Sequence, residues 1–349
     1  MKPPILPSNP NFSSGPCAKH RDWSLDKIKL DTIGRSHRST IGKNQLKLCI
    51  EETKKLLNLP NDYLLGILPG SDTGAFEIAL WNVLGLRKID ILAWESFGYD
   101  WVNDITNELK LSDSRVFQAP YGNIPDFKQI NFENDVVFTW NGTTSGVCLP
   151  NTSWIDPLRE GLTICDATSA IFTIDIDWSK IDILTFSWQK ALGGEGGHGM
   201  IVLSPRAVSH IDNYKPSWPI PKLFNLKKNN KINLGIFDGL TINTPSMIAV
   251  EEWLSIIEWA RSNGGLHYLK SKTMENFEII KNFCDQNDWI DFLAESESFR
   301  SKTSVCLKFV DPWFLSLNET EKIWYINKFL KILEDNNAAY DIKNYRQMV

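Results

Sequence analysis

The sequence has no run of lysine and arginine, and its net charge is −5, so nothing in it follows a nucleic-acid backbone. No apolar stretch approaches the ~20 residues that span a bilayer, so no membrane partner is expected. The proline-broken start MKPPILPSNPNF lacks the apolar centre of a secretory signal. There is no C-x-x-C pair. The six cysteines (Cys17, Cys49, Cys148, Cys165, Cys284, Cys306) are scattered, which predicts reduced, mostly buried thiols in a cytoplasmic protein and no bound metal. No internal repeat or low-complexity segment is visible, which removes repeat arrays. What remains is an ordinary globular composition of 349 residues, 42% hydrophobic and 23% charged, enough for roughly two domains of about 150 residues.

From about residue 60 the pattern alternates. GSDTGAFEIALWNVLGL has helical apolar spacing, KIDILAWES is a short apolar run, and YDWVNDITNELKL is helical again. SRVFQAP, DVVFTWN, GLTICDAT, KIDILTFSW and GMIVLSP are runs of strand length. Such runs, interleaved with helices, predict an α/β protein with a largely parallel sheet covered on both faces. Residues 246–262 read as a long amphipathic helix stopped by SNGG. From about 266 onward helix and strand mix, with SVCLKFV as a strand that buries Cys306, and this part reads as a second, smaller α/β unit.

Three places carry chemistry. GEGGHG (194–199) satisfies the spacing G-x-G-x-x-G, but a dinucleotide site needs a helix after it, and MIVLSP reads as a strand. PGSDTGAFEIAL (69–80) runs a small polar loop into a helix whose first N–H groups lack partners. It suits a phosphate, or equally plain capping by Ser71, Asp72 or Thr73. Asp166 and Lys190 close consecutive strands, and strand C-terminal ends are where open α/β sheets place ligands. Pyridoxal 5′-phosphate enzymes need a lysine to bond the cofactor and an acid to keep its ring nitrogen protonated. They also need a phosphate cradle and a ring to stack, and ESFGYDW offers Phe97, Tyr99 and Trp101.

The constellation resembles the phosphoserine aminotransferase family, class V pyridoxal-phosphate enzymes of fold type I. The resemblance rests on NFSSGP (11–16), GRSHRS (34–39), PGSDTGA (69–75), TWNGTTSGV (139–147), CDATSA (165–170), SWQK (187–190) and INTPSM (242–247), all in order. PGSDTGA and AWESFG look like the branch common in alphaproteobacteria. The resemblance implies a large domain (18–265) with a mixed seven-stranded sheet, and a small domain formed by 1–17 with 266–349. It implies transfer of the amino group of L-glutamate to 3-phosphohydroxypyruvate, giving O-phospho-L-serine and 2-oxoglutarate. A phosphorylated four-carbon analogue in vitamin B6 synthesis is implied as a second substrate. The rivals are a cysteine desulfurase on the same fold, or a cofactor-binding relative with impaired turnover.

Position by position, the resemblance implies that Lys190 bonds the cofactor and carries a proton, Asp166 pairs with the ring nitrogen, and Thr143 bonds the ring hydroxyl. Asp72, Thr73 and Gln189 would hold the phosphate, with Asn243 and Thr244 reaching it from the second subunit of a homodimer. His37 and Arg38 would receive the substrate phosphate across the same interface. Trp101 is expected to stack on the ring, with Phe97 in reserve. Family members usually continue past AYDIKNYRQMV into a strand whose arginine clamps the substrate carboxylate. Here Arg346 precedes that position, so weak transamination and an open edge on the small domain are expected.

Overall fold

The computed structural model describes residues 5–13 and 15–342. Seven strands form the central sheet: β1 (Leu64–Pro69), β2 (Ile89–Ala93), β3 (Ser114–Gln118), β4 (Asp135–Thr139), β5 (Thr163–Asp166), β6 (Ile183–Ser187) and β7 (His198–Leu203). Their order is β1-β7-β6-β5-β4-β2-β3. β7 runs antiparallel to both its neighbours, and all other pairings are parallel. The sheet is therefore the expected mixed one, and its central strands are buried along their full length. That burial explains why they read in sequence as continuous apolar runs without alternation.

Helices cover both faces. α1 (Thr40–Leu56) starts on Ser39, whose hydroxyl accepts from Gly42 N. α2 (Ser71–Val83) follows β1, and α3 (Ser96–Asn103) follows β2 with the Glu95 carboxylate as its cap. α4 (Pro205–Asn213) and α5 (Met247–Ser262) come after β7, each capped by a serine hydroxyl. One core lies between the sheet and α1 and α5, around Leu46, Phe186, Trp188 and Trp253. The other lies beneath α2, α3 and α4, around Phe76, Ile78 and Ile201. None of the helices among the described residues is long and apolar enough to cross a membrane.

The chain leaves the expected stop at Gly264 (φ 109°) and turns into α6 (Gly265–Asp285). Beyond it stand β8 (Ile290–Phe292) paired antiparallel with β9 (Leu307–Phe309), then α7 (Pro312–Leu315) and α8 (Glu319–Asp335). The strand expected over 304–310 is thus only three residues long. Cys306 precedes it and is half-buried, because its backbone packs against Gly146 and its thiol donates to Thr143 O at 3.5 Å. The N-terminal segment joins this unit: Phe12 N donates to Tyr340 O, and Tyr340 N to Pro10 O. Trp313, Leu315, Ile323, Trp324 and Ile332 leave an apolar face of α7 and α8 exposed. Arg346 lies outside the described residues.

One close approach sets the position of the N-terminal end of α2. A Cβ on Gly199 of β7 would stand 2.2 Å from Ser71 O and 2.7 Å from the Ala75 Cβ. Gly199→Ala should therefore lift the first turn of α2 and cost about 1–3 kcal/mol, the usual scale of overpacking. A chemical-denaturation midpoint unchanged in that variant would show that the helix has room to move.

Candidate active site

The C-terminal ends of β5 and β6 lie side by side, with Asp166 in register with Thr185. Asp166 ends β5, and Lys190 follows β6 in a turn closed by Gly193 N donating to Lys190 O at 2.7 Å. The N-terminal segment folds over this turn. Cys17 N donates to Gln189 O at 2.9 Å, and a Cβ on Gly15 would stand 2.4 Å from Lys190 Nζ. A side chain at position 15 would displace the Lys190 amine from this position, so the glycine of NFSSGP lets the amine lie against the N-terminal segment. Burial pushes the Lys190 amine below its ordinary pKa, opposed by Cys17, Asp166 and Asp72. Such an amine deprotonates more readily, as a lysine nucleophile or proton carrier must.

Asp166 is held from two sides. Trp101 Nε1 donates to Oδ2 at 3.2 Å and Thr168 N to Oδ1 at 3.0 Å. These contacts fix the carboxylate at the strand end and keep its acceptor character. Trp101 is 5% exposed and packs at 4.6 Å, tilted, on Phe76. Its described contact with the site is thus the indole N–H on Asp166. Phe97 lies half-buried on the preceding turn of α3.

At the start of α2 the backbone turns through two successive left-handed residues, Gly70 (φ 84°) and Ser71 (φ 56°). A non-glycine residue there is strained and needs its surroundings to hold it. Gly70 N and Ser71 N both donate to Gly197 O, and Gly197 N donates to Ser71 Oγ at 3.0 Å. Gly74 N is used by Gly70 O. The amides of Asp72 and Thr73 remain as first-turn donors at a helix N-terminus, an anion-binding arrangement. The Thr73 side chain is exposed beside them.

The carboxyl of Asp72 corrects one expectation. It is 6% exposed, set against Asp166 with the Thr168 and Thr185 hydroxyls beside it, and its Oδ1 has no hydrogen-bond partner. A buried acid facing a second acid is no partner for a phosphate dianion, so α2 offers an anion its backbone and not this side chain.

Thr143 shares a 2.7 Å hydrogen bond with Ser169 Oγ, and Asn141 Nδ2 ties the same corner to Ser169 O and Thr303 Oγ1. Glu95, fully buried, anchors this loop by accepting from Thr144 Oγ1 at 2.9 Å and Gly98 N at 2.8 Å. Behind Lys190 the Trp188 ring is stacked between His198 at 4.5 Å and Trp253 at 5.2 Å. His198 Nε2 accepts from Ser246 N, and burial lowers its pKa to about 4, so the ring is neutral.

The residues fit pyridoxal phosphate. Asp72 Oδ1, Thr168 Oγ1, Thr185 Oγ1, Ser187 Oγ and Gln189 Oε1 are all buried without hydrogen-bond partners around these strand ends. Unpaired polar atoms at such a density are costly, and a polar ring with a phosphate arm can engage several of them.

Lys190 is not among the residues that line the cavity holding His37 and Arg38. That cavity, of about 200 Å³, is lined also by Lys43, Gly239, Leu240 and Thr241. Burial and the Arg38 charge both lower the pKa of His37, and its Nε2 has no partner. Thr241 Oγ1 donates to Asn243 O at 2.7 Å, so Asn243 and the exposed Thr244 belong to the same surface. The two pairs of residues expected to act across an interface therefore share one face.

Sequence reasoning missed the Asp72–Asp166 contact, the Glu95 anchor and Cys17. AWESFG did carry a signal for Glu95, an acidic residue directly before a helix.

No family model matches the chain. Two curated proteins named phosphoserine aminotransferase, from Methanosarcina barkeri and Methanosarcina mazei, are each 54% identical to it over 346 residues, covering 99% of this chain and 91% of the relative. The solved phosphoserine aminotransferase of Cytophaga hutchinsonii superposes with a TM-score of 0.78 at 20% identity, covering 96% of this chain and 91% of that one. A pyridoxal-phosphate-bound phosphoserine aminotransferase from Trichomonas vaginalis superposes at 0.72, with 18% identity over 95% and 91%. At 54% identity over almost its whole length, the chain belongs to the phosphoserine aminotransferase family.

Proposed function

We propose that this enzyme moves the amino group of L-glutamate to 3-phosphohydroxypyruvate, forming O-phospho-L-serine and 2-oxoglutarate for serine biosynthesis. The observation that carries the reading is the pair of adjacent strand ends bearing Asp166 and Lys190, beside the free amides that open α2. Bound there, pyridoxal phosphate supplies an electron sink for the bonds at the substrate α-carbon. Asp166 would hold the ring nitrogen, Thr143 the ring hydroxyl, and the Asp72 and Thr73 amides with Gln189 the phosphate. Lys190 Nζ would take and return the α-proton, its burial favouring the uncharged amine. Production of phosphoserine that depends on glutamate, by the purified protein, tests the reading directly, and its absence would overturn it.

The desulfurase alternative needs a mobile, nucleophilic thiol. Two cysteines do stand near the site, but burial pushes Cys17 up, and Cys306 up to about 12. Both stay protonated, and the thiolate is the attacking form.

The cavity of His37 and Arg38, which Lys190 does not line, supports a homodimer whose sites draw on both chains, with 18–265 as the large domain and 1–17 with 266–349 as the small one. A guanidinium suits phosphate recognition by its paired donors. Mixing Arg38→Ala chains with Lys190→Ala chains should then restore one intact site in a fraction of dimers, regaining up to about a quarter of the wild-type rate. That ceiling is set by statistical pairing in a closed two-fold dimer. No recovery, with subunit exchange confirmed, would place the whole site within one chain.

A further inference from the structure

GEGGHG, which has no helix after it and so no dinucleotide role, begins shortly after Lys190, and three of its first four residues are glycine. Glycine has no side chain to pack and the most backbone freedom to lose on ordering, so this loop needs an outside anchor. The anchor is α5. Glu252 is 2% exposed on that helix, and its Oε2 accepts from Glu195 N at 2.9 Å. The next residue, Trp253, stacks on Trp188 at 5.2 Å. Consecutive residues of one helix therefore grip the chain on both sides of Lys190. The turn between them is closed by Gly193 N donating to Lys190 O and Gly194 N donating to Trp188 O.

The other oxygen of Glu252 holds a second segment. Oε1 accepts from Trp23 Nε1 at 3.1 Å and pairs with Lys19 Nζ at 2.7 Å. Lys19 also reaches the Glu195 carboxylate at 2.7 Å, so one ammonium bridges the loop and the helix. The segment held in this way is the one that lies against Lys190. Cys17 N donates to Gln189 O, a Cβ on Gly193 would stand 2.5 Å from Ala18 O, and one on Gly15 2.4 Å from Lys190 Nζ. A buried carboxylate is costly unless its oxygens are used. Here both are, one on each of the two chain segments that meet at Lys190. The adjacent Glu251 is equally buried, but it accepts from Thr32 Oγ1 and Gln45 Nε2, which belong to neither segment.

We infer that Glu252 is a positioning residue for Lys190: its carboxylate clamps segment 15–23 to the loop after Lys190 and so fixes where the amine stands at the ends of β5 and β6. The consequence for turnover rests on the reading of Lys190 as the residue that bonds the cofactor. Without the clamp, the segment keeps its outer attachments, His20 stacked on Trp259 at 4.1 Å and Asp22 Oδ2 accepting from Trp259 Nε1, so Glu252→Gln should fold. Its amide offers one acceptor and one donor where the carboxylate offered two acceptors. Either Glu195 N or the Trp23 and Lys19 donors then lose their partner, and water reaches Lys190. Burial is the main cause that lowers the pKa of this amine, opposed by Cys17 on the N-terminal segment, Asp166 on β5 and Asp72 on α2. Wetting the amine moves that pKa up.

The test compares the full chain as wild type, Glu252→Gln, Lys19→Gln and Glu251→Gln. Hydrogen exchange over 15–23 and 189–197 in the holoenzyme should quicken by about 10- to 100-fold in Glu252→Gln, the equilibrium equivalent of a lost hydrogen bond to a charged group. Competitive acetylation of the full chain freed of cofactor should place the midpoint of Lys190 labelling at a higher pH than in wild type. In the holoenzyme kcat should fall by about 10- to 100-fold with KM little changed, because the amine is displaced and the substrate contacts are not. Glu251→Gln should keep the wild-type value of each reading. Lys19→Gln, at a partly exposed position, should move them in the same direction by a smaller factor, and it decides alone if Glu252→Gln does not fold. Wild-type exchange and labelling in the deciding variant, or the same changes in Glu251→Gln, would overturn the inference. Altered labelling with wild-type kcat would overturn the positioning role. Cofactor fixed by borohydride to another lysine would instead sink the reading of Lys190, while the clamp stands or falls on exchange and labelling.

Discussion

Lys190→Ala should lower turnover on the order of 10⁴-fold or more, because in the proposed site one residue serves both as the nucleophile that bonds the cofactor and as the proton carrier. The loss should come without unfolding. Lys190 carries a burial penalty on its charge, so removing the amine relieves an unfavourable term while costing few apolar contacts. The variant should keep the wild-type denaturation midpoint and still bind pyridoxal phosphate through the Asp72 and Thr73 amides, but reversibly. Borohydride treatment of the wild type should fix the cofactor to the tryptic peptide containing Lys190, and to nothing in the variant. Reduced cofactor on any other lysine of the wild type would overturn the assignment.

That prediction could be framed from sequence because the two residues it depends on are set by local pattern. A strand ends where its apolar run ends, so Asp166 after LTIC and Lys190 after ILTFSWQ had to emerge at one edge of a parallel sheet. The same logic placed β2 to β7 but not β1, and the full burial of β2 and of β4 to β7 is what leaves uninterrupted apolar runs. It failed over 304–310, where the apolar letters of SVCLKFV pack on a neighbouring loop before the ladder begins. Packing on Gly146 and pairing in a strand leave similar sequence traces.

The start of α2 was legible as a helix N-terminus with unpartnered amides, but the burial of the Asp72 carboxyl was not. Its carboxyl turns inward because Gly70 and Ser71 both take left-handed backbone conformations. Ser71 is held there by Gly197, more than a hundred residues away. Nothing in PGSDTGA announces that contact. The cavity of His37 and Arg38 has the same character. Its other wall is Gly239–Thr241, about two hundred residues further along the chain, so spacing within GRSHRS says nothing of it. Trp101 shows the intermediate case. Its presence near the cofactor end of the sheet followed from its place after β2, while the contact itself, an indole N–H on Asp166, depends on how α3 lies against Phe76.

Asp166→Asn should lower turnover by about 10²–10³-fold, the scale seen when one preorganised electrostatic contact to a transition state is lost, while leaving most of the bound cofactor in place. Cofactor retention is expected because the proposed covalent bond to Lys190 and the proposed phosphate contacts at α2 do not involve the Asp166 side chain. Activity falls because an amide has no charge with which to hold a proton on the ring nitrogen, and without that proton the ring drains electrons poorly. The replacement also rearranges the site in a defined way. Trp101 Nε1 and Thr168 N keep an acceptor if the amide oxygen faces them, which turns the amide nitrogen toward Asp72 or the ring. The chain should therefore fold, and the deficit should appear in kcat more than in KM, since the lost interaction strengthens as charge develops. The absorbance of the bound cofactor should shift as well, because the protonation state of its ring changes. Near-normal kcat with an unshifted spectrum would mean that the ring nitrogen lies elsewhere, and that Asp166 serves only to fix Trp101 and the turn at Thr168.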